Sequence, residues 1–132
     1  MRQTRIRGIG VDAVAIDRMD SQRMGMHVLS RMFSDCEVQE ALRLDDSMRG
    51  EFLASRFAAK EAFVKALGTG FRGIAPKDIA VVVDAVGKPS LAFTEGPRLQ
   101  FSLDSLTIHL SLTHEENLAI AFVVLEELDG TF

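Results

Sequence analysis

The sequence predicts a single α+β domain, and three observations carry that prediction. Alternating apolar residues mark strands near both ends of the chain, while one long helical run fills the middle. The 132 residues, 47% of them apolar, are enough for one hydrophobic core over residues 1–132 and not for two. Strands at both ends with helices between them form the α+β pattern, without the strict alternation of a doubly wound fold.

The first strand is Ile6-Arg7-Gly8-Ile9-Gly10-Val11-Asp12. Alternation places Ile6, Gly8, Gly10 and Asp12 on one face and Arg7, Ile9 and Val11 on the other. Residues 13–33 show no clean period and divide between helix and irregular structure. Ser34-Asp35-Cys36-Glu37 has the capping-box pattern, a hydroxyl followed three residues later by Glu, so a helix starts there and runs to about Leu44. Cys36 inside the box is expected to be a buried small residue. Asp45-Asp46-Ser47 breaks that helix, and the longest one follows, from about Met48 to Leu67, with Gly68 placed to end it in the left-handed region. After a loop from Gly68 to Gly73, Ile79-Ala80-Val81-Val82-Val83 and Ser90-Leu91-Ala92-Phe93 read as paired strands around a Gly87-Lys88-Pro89 turn. Leu106, Ile108, Leu110 and Leu112 alternate with polar residues in a half-buried strand, and Ala119 to Leu125 is an apolar, β-branched run that reads as a more buried one.

Composition excludes several classes. No apolar run approaches the roughly 18 to 20 residues of a membrane-spanning helix. The basic N-terminus passes straight into a strand without the apolar stretch of a signal peptide, and one cysteine cannot form an intrachain disulfide, so a cytoplasmic protein is expected. A net charge of −4 and a pI near 5.3 argue against nucleic acid as a partner. The charge is uneven: residues 1–33 carry six arginines (Arg2, Arg5, Arg7, Arg18, Arg23, Arg31) against three aspartates, whereas the rest has nine basic and sixteen acidic residues. These arginines are either solvated or face an acidic partner.

The long helix holds few polar residues, and at about 100° per residue their directions are fixed. With Glu61 at zero, Phe52, Ala59, Phe63 and Ala66 fall roughly 140° to 200° away as a core stripe, while Ala54, Ala58 and Lys65 lie within about 60° of it. Glu61 and Lys65 fit a plain i, i+4 pair. They also fit a site, because Asp12 ends a strand whose same-face neighbours Gly8 and Gly10 lack side chains and let a helix or ligand approach. Two carboxylates beside a lysine suit Mg2+ shared with a substrate diphosphate. The glycine motifs are weaker signals: no helix opens after Gly8-Ile9-Gly10, and Gly68-Thr69-Gly70-Phe71-Arg72-Gly73 follows a helix, away from any anion-binding N-terminus. His109, His114 and His27 lack zinc-site spacing. His114, where a strand runs out into Glu115-Glu116-Asn117, is open to a structural or a ligand-binding role.

Gly8-Ile9-Gly10-Val11-Asp12, then Phe52-Leu53-Ala54-Ser55-Arg56-Phe57-Ala58-Ala59-Lys60-Glu61-Ala62-Phe63-Val64-Lys65-Ala66-Leu67-Gly68-Thr69-Gly70, then Asp78-Ile79, Gly87-Lys88-Pro89 and Ser111-Leu112-Thr113-His114 resemble, in order and spacing, the holo-acyl-carrier-protein synthase family of phosphopantetheinyl transferases. The resemblance implies that fold, an antiparallel sheet packed on a long central helix, and a reaction in which 4'-phosphopantetheine moves from coenzyme A to a serine of an acyl carrier protein, releasing adenosine 3',5'-bisphosphate in support of fatty acid biosynthesis. It implies Mg2+ on Asp12 and Glu61, phosphate contact from Lys65, and a coenzyme A site lined by Arg56, Gly68, Thr69, Gly70, Lys88, Pro89 and His114. It further implies carrier docking on Arg18, Arg23 and Arg31, and a homotrimer with sites between subunits. The chain departs from the family at Ala13, usually a branched residue, and Leu118, usually aromatic. A module that binds coenzyme A or a carrier without turnover is the alternative.

Overall fold

The computed structural model describes residues 3–128. The chain runs through β1 (Thr4–Ala15), a 3-10 turn (Ile16–Met19), α1 (Met26–Met32), α2 (Asp35–Arg43) and α3 (Asp46–Leu67). A second 3-10 turn (Pro76–Asp78) leads to the hairpin β2 (Ile79–Val83) and β3 (Pro89–Phe93), then α4 (Glu95–Gln100), a third 3-10 turn (Leu103–Ser105), β4 (Leu106–Glu115) and β5 (Leu118–Leu128). β1, β5 and β4 form an antiparallel sheet in that order, and β2–β3 forms a separate two-stranded one. The α+β class and the antiparallel sheet on a long helix hold as expected.

α3 lies across the inner face of the larger sheet, against Ala119, Ala121, Val123 and Leu125 of β5, all fully buried. Its approach to β1 is as close as backbone allows. A Cβ built on Gly8 would stand 1.9 Å from the Ala66 carbonyl oxygen, and one on Gly10 1.9 Å from that of Ala62. Phe52, Ala59, Phe63 and Ala66 are buried as the stripe required. Phe63 meets Phe93 with ring centroids 4.9 Å apart, and burying such a ring is worth about 2 to 3 kcal/mol. The helix is nevertheless buried almost all round, since Ala54, Ala58 and Ala62 are sealed as well.

Several local expectations need correction. Asp45 does not simply break the chain: its side chain accepts from the Met48 N–H at 3.1 Å as the N-cap of α3, and Asp46 and Ser47 form the first turn. The register of β1 on β5 slips between Ile6 and Gly8. The resulting bulge turns Ile6 to the outer face with Ile9 and Val11, where alternation counted through Arg7 had placed it with Gly8. The Ser34 capping box forms, but Cys36 is exposed, because Glu37 and Val38 take the inward positions of α2. Pro89 opens β3 and is not part of the turn. The irregular stretch 13–33 resolves into the end of β1, a 3-10 turn and α1. Gly68 ends α3 as expected, at φ 86° with its N–H on Val64 and Lys65 carbonyls.

Candidate active site

β1 delivers Asp12 to the inner face opposite Ala121 of β5, at the point where the glycine pair has let α3 come close. Lys65, in the last turn of α3, reaches over and donates to the Val11 carbonyl at 3.0 Å and to Asp12 Oδ1 at 3.1 Å. It remains 54% exposed, so its ammonium faces solvent on the other side, while Asp12 is 12% exposed. Glu61 lies one turn before Lys65. Burial, and then the charge of Asp12, hold its pKa above the usual carboxylate value, with Lys65 and Arg18 pulling the other way. The two carboxylates are therefore near enough for the charge of one to act on the other.

The donor set fits a divalent cation. Asp12 Oδ2 is sealed from solvent and accepts no hydrogen bond, an orphaned acceptor that a cation would satisfy. Among the described residues no cluster of three or more His, Cys, Asp or Glu is placed to hold a metal. A cation on Asp12 and Glu61 alone completes its shell with water and substrate oxygens, which is the habit of Mg2+ at diphosphates.

A second cluster lies toward the start of α3. His114, on β4 opposite Ala119, places Nε2 3.0 Å from Glu51 Oε1. The hairpin carrying it is held down at Asn117, whose carbonyl and side-chain oxygens accept from the Ile16 and Asp17 N–H groups at 2.9 and 3.0 Å. Nearby, Glu51, Phe52, Ser55 and Arg56 line one cavity of about 220 Å³. The Arg56 guanidinium lies 4.0 Å from the Phe52 ring centroid, and its Nε is buried without a partner. Burial lowers the Arg56 pKa, opposed by Glu40 and Glu37. Glu51 is the member of this cluster that sequence reasoning missed, because only the tertiary fold brings α3 to the end of β4.

The remaining candidates are distributed differently. Gly68, Thr69 and Gly70 all turn their N–H groups back onto the Val64 carbonyl, so these amides are engaged with the helix end and do not form an open cradle. Lys88 and Pro89 sit at the head of the β2–β3 hairpin, where Asp84 accepts from the Lys88 N–H at 2.8 Å; among the described residues no hydrogen bond or ion pair links them to Asp12, Glu61 or His114. Of the basic segment, Arg5 and Arg7 are paired with Glu127, and Arg23 lies 3.9 Å from Asp20. Arg18 is exposed near Glu61, Arg31 is exposed on α1, and Arg2 lies outside the described residues.

The fold is thus a small α+β protein whose long helix and first strand close on an orphaned aspartate, a half-buried glutamate and a half-exposed lysine. The family model described as the 4'-phosphopantetheinyl transferase superfamily matches residues 8–123, and the chain belongs to that superfamily. It is similar to the holo-[acyl-carrier-protein] synthase of Halothermothrix orenii, 44% identical over 131 residues covering 92% of this chain and 98% of that protein. The synthase of Treponema denticola is 44% identical over 123 residues, 92% of this chain and 98% of its own. Among solved structures, that of the Neisseria meningitidis synthase superposes with a TM-score of 0.82 at 34% identity, covering 92% of this chain and 98% of that one. The Bacillus anthracis synthase, solved in complex with coenzyme A (3',5'-ADP), superposes with a TM-score of 0.78 at 36% identity over 92% and 97%.

Proposed function

We propose that this protein is a holo-acyl-carrier-protein synthase, moving 4'-phosphopantetheine from coenzyme A to a serine hydroxyl of an apo acyl carrier protein and releasing adenosine 3',5'-bisphosphate. The observation that carries the reading is the orphaned Asp12 Oδ2 beside Glu61 and Lys65, on a chain 44% identical to a protein of that name. Asp12 and Glu61 would hold Mg2+, which supplies neutralisation of charge on the diphosphate. Lys65, whose ammonium is held on the Val11 carbonyl and Asp12 Oδ1 while the side chain stays half-exposed, offers a second positive charge to the same phosphates. In the transfer the serine oxygen bonds to the phosphorus bearing pantetheine and gives up its proton to a base, while the bond from that phosphorus to the bridging oxygen breaks and its electron pair leaves on adenosine 3',5'-bisphosphate. Such transfers need little covalent help from the protein, so positioning and charge account for most of the acceleration.

Arg56, His114, the 68–70 loop, Lys88 and Pro89 are proposed to line the coenzyme A site. Arg18, Arg23 and Arg31 are proposed to receive the acidic carrier, with Arg18 the best placed of the three because its charge already reaches Glu61. The outer face of the β1–β5–β4 sheet leaves Ile6, Ile9, Val11 and Phe122 between 44% and 63% exposed. Such a patch on one sheet face suits burial between copies, and supports the homotrimer with sites between subunits. A cytoplasmic place and a role in fatty acid biosynthesis belong to the same proposal; no described helix is long and apolar enough to cross a membrane. A non-catalytic binding module would not need Asp12, Glu61 and Lys65 kept together. The test is substitution: Asp12→Ala and Glu61→Ala are expected to abolish transfer to an apo carrier while circular dichroism stays native. Retained transfer in either variant overturns the assignment.

A further inference from the structure

The residue immediately before Glu61 is one of the most deeply buried in the protein. Lys60 is 0% exposed, and its ammonium donates to Glu37 Oε1 at 2.6 Å, to the Pro76 carbonyl at 2.9 Å and to the Ile79 carbonyl. Glu37, 2% exposed, accepts in addition from the Ser34 N–H at 3.0 Å, and its Oε2 accepts from the Val81 N–H at 3.0 Å. All three ammonium protons and both carboxylate oxygens are therefore used. Burial lowers the Lys60 pKa while Glu37 opposes the shift, and no ligand can reach the group.

The need for such a clamp follows from the packing. Against β1, α3 presents Ala62 and Ala66 to Gly8 and Gly10, a smooth contact that leaves the roll of the helix about its axis to its other faces and to the half-exposed Lys65. A buried, directional ion pair can set it, at little or no gain in stability. Glu61 follows Lys60 by about 100° of helical turn, so fixing Lys60 toward β2 fixes Glu61 toward Asp12. The same clamp holds the Ile79 carbonyl and the Val81 N–H at the root of the hairpin that bears Lys88 and Pro89.

We infer that Lys60 and Glu37 are positioning residues: together they set the roll of α3 and the seat of the β2–β3 hairpin, and thereby align Glu61 with Asp12, without touching the substrate. The inference rests on the proposed metal and coenzyme A site, and its test is arranged to separate the two. In the double variant Lys60→Met/Glu37→Gln both buried charges are removed together, so no unpaired charge is left inside and the fold is expected to survive, with a thermal midpoint lowered by the carbonyls of Pro76 and Ile79 losing their donor. Its kcat is expected to fall by about 10- to 100-fold, the scale of a misplacement of about 1 Å. The Mg2+ concentration for half-maximal rate rises, and KM for the carrier stays unchanged. A folded double variant with the original kcat and Mg2+ requirement overturns the inference. Calorimetric titration of coenzyme A with Mg2+ into both proteins reads the same alignment without any carrier: weaker binding by the double variant supports it and equal binding overturns it, even if neither protein loads a carrier. Should the double variant not fold, Glu37→Gln alone carries the comparison, with an unchanged Mg2+ requirement again counting against the inference. Reductive methylation of the unaltered protein is expected to spare Lys60 with or without coenzyme A and Mg2+, and to modify Lys65 only in their absence. Protection of a reactive Lys60 by the ligand would make it a contact residue and overturn the positioning role.

Discussion

Gly10→Ala is the sharpest perturbation of the helix-on-strand contact that brings Asp12 and Glu61 together. The added Cβ would stand 1.9 Å from the Ala62 carbonyl oxygen and 2.8 Å from the Ala66 N. Ordinary contact begins near 3.4 Å, so α3 must retreat from β1 by about 1.5 Å, and both neighbours are backbone atoms that cannot turn aside. Overpacking of this kind costs about 1 to 3 kcal/mol or somewhat more, which for a chain of this length lowers the thermal midpoint by roughly 5 to 10 °C. The retreat moves Glu61 away from Asp12, and a shift of that size is worth about 10²-fold or more in rate. Thermal denaturation with and without Mg2+ and coenzyme A, together with carrier loading, reads both effects. Gly96→Ala is the control, since its Cβ meets nothing within 4 Å and its φ is not in the left-handed region. If Gly10→Ala melts and loads carrier as the original does, the close approach is not what builds the site.

Four further outcomes follow from the same geometry. The raised pKa of Glu61 means that the folded protein holds a proton where the unfolded chain releases it, so metal-free stability falls as pH rises from the ordinary carboxylate value to the raised one; Glu61→Gln is expected to melt later than the original at pH 7 without metal, with the difference gone below the ordinary carboxylate range. For the same reason, calorimetry is expected to show Mg2+ with coenzyme A binding more weakly as pH falls through the pKa of Glu61. Glu51→Ala, which frees His114 from its 3.0 Å partner, is expected to raise KM for coenzyme A several-fold in steady-state kinetics while the Mg2+ requirement stays fixed. Ile9→Asp puts a charge into the exposed apolar face of the sheet and is expected to leave monomers by light scattering where the original forms the proposed trimer, with loss of transfer if the sites lie between subunits.

The parts of the fold that the sequence revealed are those governed by local physics. The Ser34 box, the Gly68 cap and the stripe of Phe52, Ala59, Phe63 and Ala66 each depend on neighbours within a turn or two, and each formed as read. The candidate metal pair was legible for a related reason: glycines on one strand face signal close approach, and only α3 offered a carboxylate in a strip of small residues. What stayed hidden depends on partners far along the chain. The bulge at Arg7 is set by pairing with β5, and it reverses the face of Ile6. Glu51 gains meaning only beside His114, and Lys60 only beside Glu37, Pro76 and Ile79. Cys36 looked like a core residue by type, yet the inward place belonged to a glutamate that a distant lysine neutralises. α4 was hidden by its own composition, since Gly96 and Pro97 argue for a turn until Pro97 is seen early in the helix, where a missing N–H costs nothing.

The measurement that bears most directly on the account is the intact mass of an apo acyl carrier protein after incubation with this protein, coenzyme A and Mg2+. A gain of one phosphopantetheine group on the carrier is expected, abolished by a chelator and by Glu61→Gln, and restored when Mg2+ is returned to the chelated reaction. No gain on any of several apo carriers, from a folded protein that still binds coenzyme A, would contradict it and leave a binding module in its place.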